Sequence, residues 1–232
     1  MLEFKTYYTG STGNLHVCTD EHTRIAIDFG VPFPQAQKAF DYKISSIDGA
    51  LITHAHRDHC KGVPRAVQSG VDCYAIKDVF DSLGISSHRA HIITPLDLFH
   101  VQSFRVLPFL VQHDVPNVGF LIQSDYGGKL LYITDSYYCK YRFTGVDIIA
   151  VECNYRKELL EKNIQAGLVP EVLRKRITRS HFEIENVKKF LHASDLSRVR
   201  EIHLIHLSST NSDPEQFKKE VQKSTGCPVY IK

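Results

Sequence analysis

The sequence predicts one compact α/β domain spanning residues 1–232. Three observations predict it. The chain has 232 residues, 43% of them hydrophobic and 23% charged, which is close to average globular usage and excludes disorder, collagen and coiled coil. Short β-rich runs alternate with helical patterns. No internal repeat, low-complexity tract or long linker interrupts the alternation, and a single core of this size is stable alone.

The expected strands are 24–29, 48–53, 72–76, 104–110, 119–124, 129–134, 147–151 and 201–207. Most are rich in Val, Ile, Leu, Phe and Tyr and are bounded by Gly, Pro, Asp or Ser. Tyr126-Gly127-Gly128 reads as a tight turn between two of them. Helical patterns cover 64–69, 157–163, 170–175 and 183–193. In the last of these Val187, Phe190 and Leu191 form one apolar stripe. A final helix starts with Asp213 as N-cap, Pro214 in the first turn and Gln216 at the third position.

The formal net charge is +2, from 28 Lys+Arg against 26 Asp+Glu. That balance argues against holding a polyanion by bulk charge, and leaves room for a local basic patch. No run approaches the ~18 apolar residues of a membrane helix, so no membrane partner is expected. The start, Met1-Leu2-Glu3-Phe4-Lys5, lacks a basic region followed by an apolar run, so no secretory signal is expected. Six scattered cysteines without a C-x-x-C pair read as reduced core thiols of a cytoplasmic protein.

Thirteen histidines are the unusual count. The strongest signal is Thr53-His54-Ala55-His56-Arg57-Asp58-His59, directly after the apolar run Gly49-Ala50-Leu51-Ile52. Three imidazoles and a carboxylate fall within six residues at a strand exit. His54 and His56 lie two apart, so an extended backbone places them on one side. Asp58 and His59 follow once the chain bends. Nitrogen with carboxylate oxygen suits Zn²⁺, Mn²⁺ or Fe.

That motif resembles the metallo-β-lactamase superfamily, and other segments agree with it in order. The resemblance implies an αββα four-layer sandwich, with 1–232 as a single domain of that fold. Asp28, ending Ile25-Ala26-Ile27-Asp28, would orient the metal loop. His54, His56 and His113 would hold one ion; Asp58, His59 and His206 the other; Asp135 would bridge. Two Zn²⁺ ions are expected, with Mn²⁺ as the other choice. His203 is expected to be structural or exposed.

The resemblance is sharpest to small stand-alone YycJ-type proteins and to tRNase Z. It rests on Val151-Glu152-Cys153-Asn154-Tyr155, Ser180-His181-Phe182-Glu183-Ile184-Glu185-Asn186 and His206-Leu207-Ser208. It implies His181 as general acid with Glu152 orienting it, and Asp58 counted with the catalytic residues. The chain has no room for the inserted domain of RNase J-like proteins, and no counterpart of the long tRNase Z arm.

The implied chemistry is two-metal phosphodiester hydrolysis. Near-neutral charge and the missing nuclease accessories favour a small nucleotide substrate. The first expectation is therefore hydrolysis of 3′,5′-cyclic nucleotides, as in phage enzymes that defeat cyclic-pyrimidine (Pycsar) signalling. The alternative is a YycJ-type DNA or RNA exonuclease; a non-catalytic metal-binding interaction protein stands as a third class. Arg174-Lys175-Arg176 with Arg179 is either a phosphate contact or a solvated helix end. Tyr137, Tyr138, Tyr141 and Phe143 either stack a base or pack. Related proteins imply a homodimer.

Overall fold

The computed structural model describes residues 1–232. Its chain forms two compact units, one of residues 1–110 with 115–129, the other of residues 111–114 with 130–232.

The first unit carries a six-stranded sheet in sequence order: β1 (Glu3–Tyr8), β2 (Leu15–Thr19), β3 (Arg24–Ile27), β4 (Gly49–Leu51), β5 (Cys73–Ala75) and β6 (Ala90–Ile92). The first three pair antiparallel, and β3 to β6 run parallel. Short helices connect the parallel strands: α1 (Phe33–Ala39), α2 (Arg57–Cys60), α3 (Val63–Gln68) and α4 (Lys77–Leu83). A parallel neighbour needs a crossover of this kind. The same unit holds β7 (Phe99–Val101), nearly all of β8 (Phe104–Val111), and β9 (Asn117–Ser124). The expected turn closes there, with the Gly127 amide donating to the Ser124 carbonyl and the Ser124 amide donating to Gly128.

The second unit is built on parallel strands in the order β13 (Val229–Tyr230), β12 (Glu201–Ile205), β11 (Ile148–Glu152) and β10 (Lys129–Ile133). All five residues of β11 are buried, the continuous pattern of a strand covered on both faces. Its helices are α5 (Lys157–Gln165), α6 (Leu173–Ser180), α7 (Ile184–His192) and α8 (Pro214–Thr225). The stripe Ile184, Val187, Phe190 and Leu191 of α7 is buried, as its spacing predicts. Asp213 caps α8 by accepting from the Gln216 amide at 3.0 Å, and Gly226 ends it in the left-handed region.

All eight expected strands are present, each end within two residues of expectation. The helix expected at 170–175 is displaced. Pro170 and Glu171 form a turn ahead of α6, their carbonyls accepting from the amides of Leu173 and Arg174. The basic run therefore lies inside the helix, and His181 is its C-cap. All six cysteines are buried and unbridged. No helix is long and apolar enough to cross a membrane.

Candidate active site

Each unit gathers its polar side chains just beyond the carboxyl ends of its parallel strands. In the first unit β3 and β4 are in register, with Ile27 opposite Leu51. The residues that follow them, Asp28 and Thr53-His54, therefore leave the sheet side by side. Asp28 turns out of its strand with φ 60°, a left-handed conformation that costs a non-glycine residue about 1 kcal/mol or more and persists where its surroundings hold it. Its carboxylate is fully buried and triply engaged. Oδ1 accepts from the Thr53 amide and from Thr53 Oγ1, both at 2.9 Å, and Oδ2 lies 2.7 Å from His59 Nδ1.

His54 and His59 are fully buried with ring centroids 4.2 Å apart; His54 and His56 are 4.8 Å apart, edge to face. The bend expected after His56 is α2, which carries Asp58 and His59, with Asp58 Oδ2 3.5 Å from His59 Nε2. This crowding of imidazoles has no packing use, and the buried Asp28–His59 pair is the carboxylate–imidazole support typical of metal ligands. The first unit's donors thus fit a transition metal.

Asn14 is a residue that sequence reasoning left without a role. Its Nδ2 lies 3.0 Å from His59 Nε2 and donates to the Asp58 carbonyl at 3.1 Å, while its Oδ1 accepts from the Gly10 amide. The glycines just before it, Gly10 and Gly13, both at positive φ, were the available signal.

In the second unit β10, β11 and β12 end together, with Ile133 opposite Val151 and Glu152 opposite Ile205. Asp135, Glu152 and His206 stand at those ends, the edge where open parallel sheets place ligands. Asp135 (φ 47°) and His206 (φ 52°) are left-handed, as Asp28 is. His206 Nδ1 lies 2.7 Å from Asp135 Oδ1. His181, brought in by the end of α6, places Nδ1 2.6 Å from Glu152 Oε1 and 3.0 Å from Asp135 Oδ1. Burial alone would lower the His181 pKa; the Glu152 charge and the hydrogen bonds to both carboxylates outweigh it and push it up to about 10. Glu152 is fully buried and its Oε2 accepts from the amides of Ser136 (2.9 Å) and Phe182 (3.3 Å), so it is fixed by backbone.

His113 sits just beyond β8 with its side chain almost fully buried, and that burial pushes its pKa down to about 4. Nδ1 lies 2.9 Å from the Ser180 carbonyl and Nε2 lies 3.1 Å from Asp114 Oδ1. Asp135, Glu152, His181 and His206 offer donor atoms all within 4.8 Å of one another, so this set too has the chemistry to take a metal.

Other residues singled out in the sequence take the following places. His203 stacks on Tyr230 and pairs with Glu201, a structural role as expected. Of the basic run, Arg174 pairs with Glu161 and Arg176 with Asp114, so those two are tied down by carboxylates. Tyr137 and Tyr138 are exposed, whereas Tyr141 and Phe143 are half-buried, with ring centroids 6.4 Å apart.

Residues 23–207 match the model of the beta-lactamase superfamily domain. The chain is 27% identical to exodeoxyribonuclease YycJ of Bacillus anthracis, over 96% of this chain and 88% of that one. The metallo-beta-lactamase fold protein YhfI of Bacillus subtilis superposes with a TM-score of 0.76 at 16% identity, covering 100% of this chain and 95% of that one. The short form of human tRNase Z gives a TM-score of 0.63 at 17% identity, over 99% and 95%. These two solved structures show a shared fold and bear out the fold class that the histidine motif implied.

Proposed function

Because the chain belongs to the beta-lactamase superfamily, a family of metal-dependent hydrolases, we propose that it is a dinuclear phosphodiesterase acting on the ends of DNA strands. His54, His56 and His113 would hold one ion, and Asp58, His59 and His206 the other, with Asp135 shared. When bound, such ions supply Lewis acidity toward phosphoryl oxygens and a water of pKa about 7.

The chain's own residues do the rest. Attack at phosphorus breaks the bond to the leaving oxygen, which departs needing one proton. His181 holds that proton. Its Nδ1 is engaged by Glu152 and Asp135, which leaves Nε2–H as the acidic group. Glu152 keeps the imidazole in that tautomer and favours its charged form before transfer. The proton released from the attacking water restores the imidazolium. A positioned acid of this kind is worth ~10²–10⁴-fold.

The observation that carries this reading is the 2.6 Å His181–Glu152 dyad at the carboxyl ends of the parallel strands. The substrate class rests on the full-length likeness to an exodeoxyribonuclease. The test is His181→Ala, assayed for metal content and for hydrolysis of single-stranded DNA and bis-p-nitrophenyl phosphate. We expect full metal content, a loss of about 10²-fold or more on DNA, and a much smaller loss on the ester whose leaving group needs no proton. Loss of metal would make His181 a ligand and remove the acid from the mechanism.

A second reading, favoured by the net charge of +2, is hydrolysis of 3′,5′-cyclic CMP or UMP, the activity of a phage counter-defence enzyme. Linear nucleotide released from cyclic CMP, with single-stranded DNA untouched, would select it. We read the chain as a homodimer, for which light scattering should give twice the 26.4 kDa chain mass.

A further inference from the structure

One cavity of about 340 Å³ lies wholly within the second unit, lined by Tyr137, Tyr138, Cys139, Arg142, Phe182, Asn186, Lys189 and Phe190. Its volume falls in the roughly 300–1,000 Å³ range of small-molecule sites. The floor is apolar and buried: Phe182, Phe190 and Cys139. The rim is exposed and polar. Asn186, Lys189 and Phe190 stand at i, i+3 and i+4 of α7 and so share one face of that helix. Opposite them the segment after Asp135 presents Tyr137 and Tyr138.

The charge is one-sided. No carboxylate lines the cavity, while Arg142 and Lys189 do. Arg142 lies over the Phe190 ring at 5.8 Å and donates to the carbonyls of Cys139 and Tyr141. Neither cation forms an ion pair with a carboxylate. An apolar floor, exposed tyrosine rings, one amide side chain and two unmatched cations are together suited to an aromatic ring that carries an amide-like edge and an anion.

The cavity is also coupled to the dyad. Phe182, in its floor, follows His181 and donates its amide to Glu152; Ser136, one residue before Tyr137, does the same. Ser136 Oγ in turn donates to the Tyr138 carbonyl at 2.8 Å and accepts from the Tyr138 amide at 3.2 Å. A group seated here is held by the same backbone that fixes the acid.

The geometry points to this cavity as the subsite for one nucleotide of the substrate, its base against Tyr138 with Asn186 at its edge and its phosphate toward Lys189 and Arg142. The inference rests on the phosphodiesterase reading, and deepens it by assigning a base-recognition site.

The test uses the metal-loaded chain and calorimetric binding of dAMP and of deoxyribose 5-phosphate, which lacks the base. We expect dAMP to bind at least about fivefold more tightly, the low end of what stacking on an aromatic ring is worth. Tyr138→Ala and Asn186→Ala, both on the exposed rim and checked for unchanged thermal unfolding, should each shrink that preference while leaving deoxyribose 5-phosphate binding in place. Lys189→Ala should weaken both ligands. Equal binding of the two ligands by the unaltered chain, or a preference indifferent to both substitutions, overturns the subsite. Base-selective binding without hydrolysis of DNA or cyclic nucleotide leaves the subsite standing and overturns the catalytic reading. Hydrolysis without base selectivity does the reverse.

Discussion

Asp28 is a fully buried carboxylate with hydrogen bonds to the Thr53 amide, Thr53 Oγ1 and His59 Nδ1, and a backbone angle that L-residues rarely adopt. Its Oδ2, 2.7 Å from Nδ1, orients the His59 ring. Asp28→Asn keeps the size but offers an N–H or a neutral oxygen to an imidazole that needs a charged acceptor. We expect metal affinity to fall about 10–100-fold, the usual cost of losing the group behind a metal-bound histidine. Competition with a chelator, read by elemental analysis, checks it; unchanged affinity would mean the ring is held by packing alone. At this scale the sequence was legible where residues were clustered or stood at strand exits. The H-x-H-x-D-H run spoke by itself. Asn14 did not, because one amide after Gly-Ser-Thr-Gly looks like any turn, and its contacts with Asp58 and His59 span 44 and 45 residues of chain.

Strand ends do most of the positioning. Asp28, Asp135 and His206 each lie one or two residues past the last residue of a buried parallel strand, and all three are left-handed. A chain that turned out in the ordinary extended conformation would aim these side chains elsewhere. The loop after β3 also makes a close approach that only glycine permits: a Cβ on Gly30 would sit 1.6 Å from the Asp58 carbonyl oxygen. That oxygen belongs to backbone and cannot swing away. Gly30→Ala should therefore displace α2, which carries Asp58 and His59. Overpacking typically costs ~1–3 kcal/mol, and at this chain length each kcal/mol lowers Tm by about 2–4 °C. The expected result is a lower Tm together with loss of metal, measured by scanning calorimetry and elemental analysis; normal metal content would refute the argument. Strands such as β10 and β11 were legible because burial on both faces demands near-continuous apolar runs. β1, β2, β6, β7, β13, α1, α2 and α4 were not; brevity accounts for the two-residue β13 and the four-residue α2, which are too short to carry a periodicity. The displaced α6 shows the same limit, because Pro170 reads equally as a helix start or as the turn before one.

For the whole molecule the open question is substrate length, and charge answers it quantitatively. The net charge of +2 is too small to hold a polymer by its overall field, so any strand binding must come from local cations. In the second unit Lys175 and Arg179 on α6, with Arg142 and Lys189 at the cavity, form no ion pair with a carboxylate, whereas Arg174 and Arg176 do. If two to four of these cations contact phosphates of a single strand, log K falls with log salt at a slope of about −0.7 per contact, or about −1.4 to −2.8 in all. Between 50 and 200 mM salt that is a loss of about 7- to 50-fold in kcat/KM on single-stranded DNA. A cyclic mononucleotide presents one phosphate, so its kcat/KM should change by about threefold or less over the same range. The two slopes, measured on one preparation, decide between the readings. A steep slope on DNA that flattens in the double variant Lys175→Ala/Arg179→Ala places the strand along α6. A flat slope on DNA leaves Lys175 and Arg179 as solvated surface and favours the small substrate.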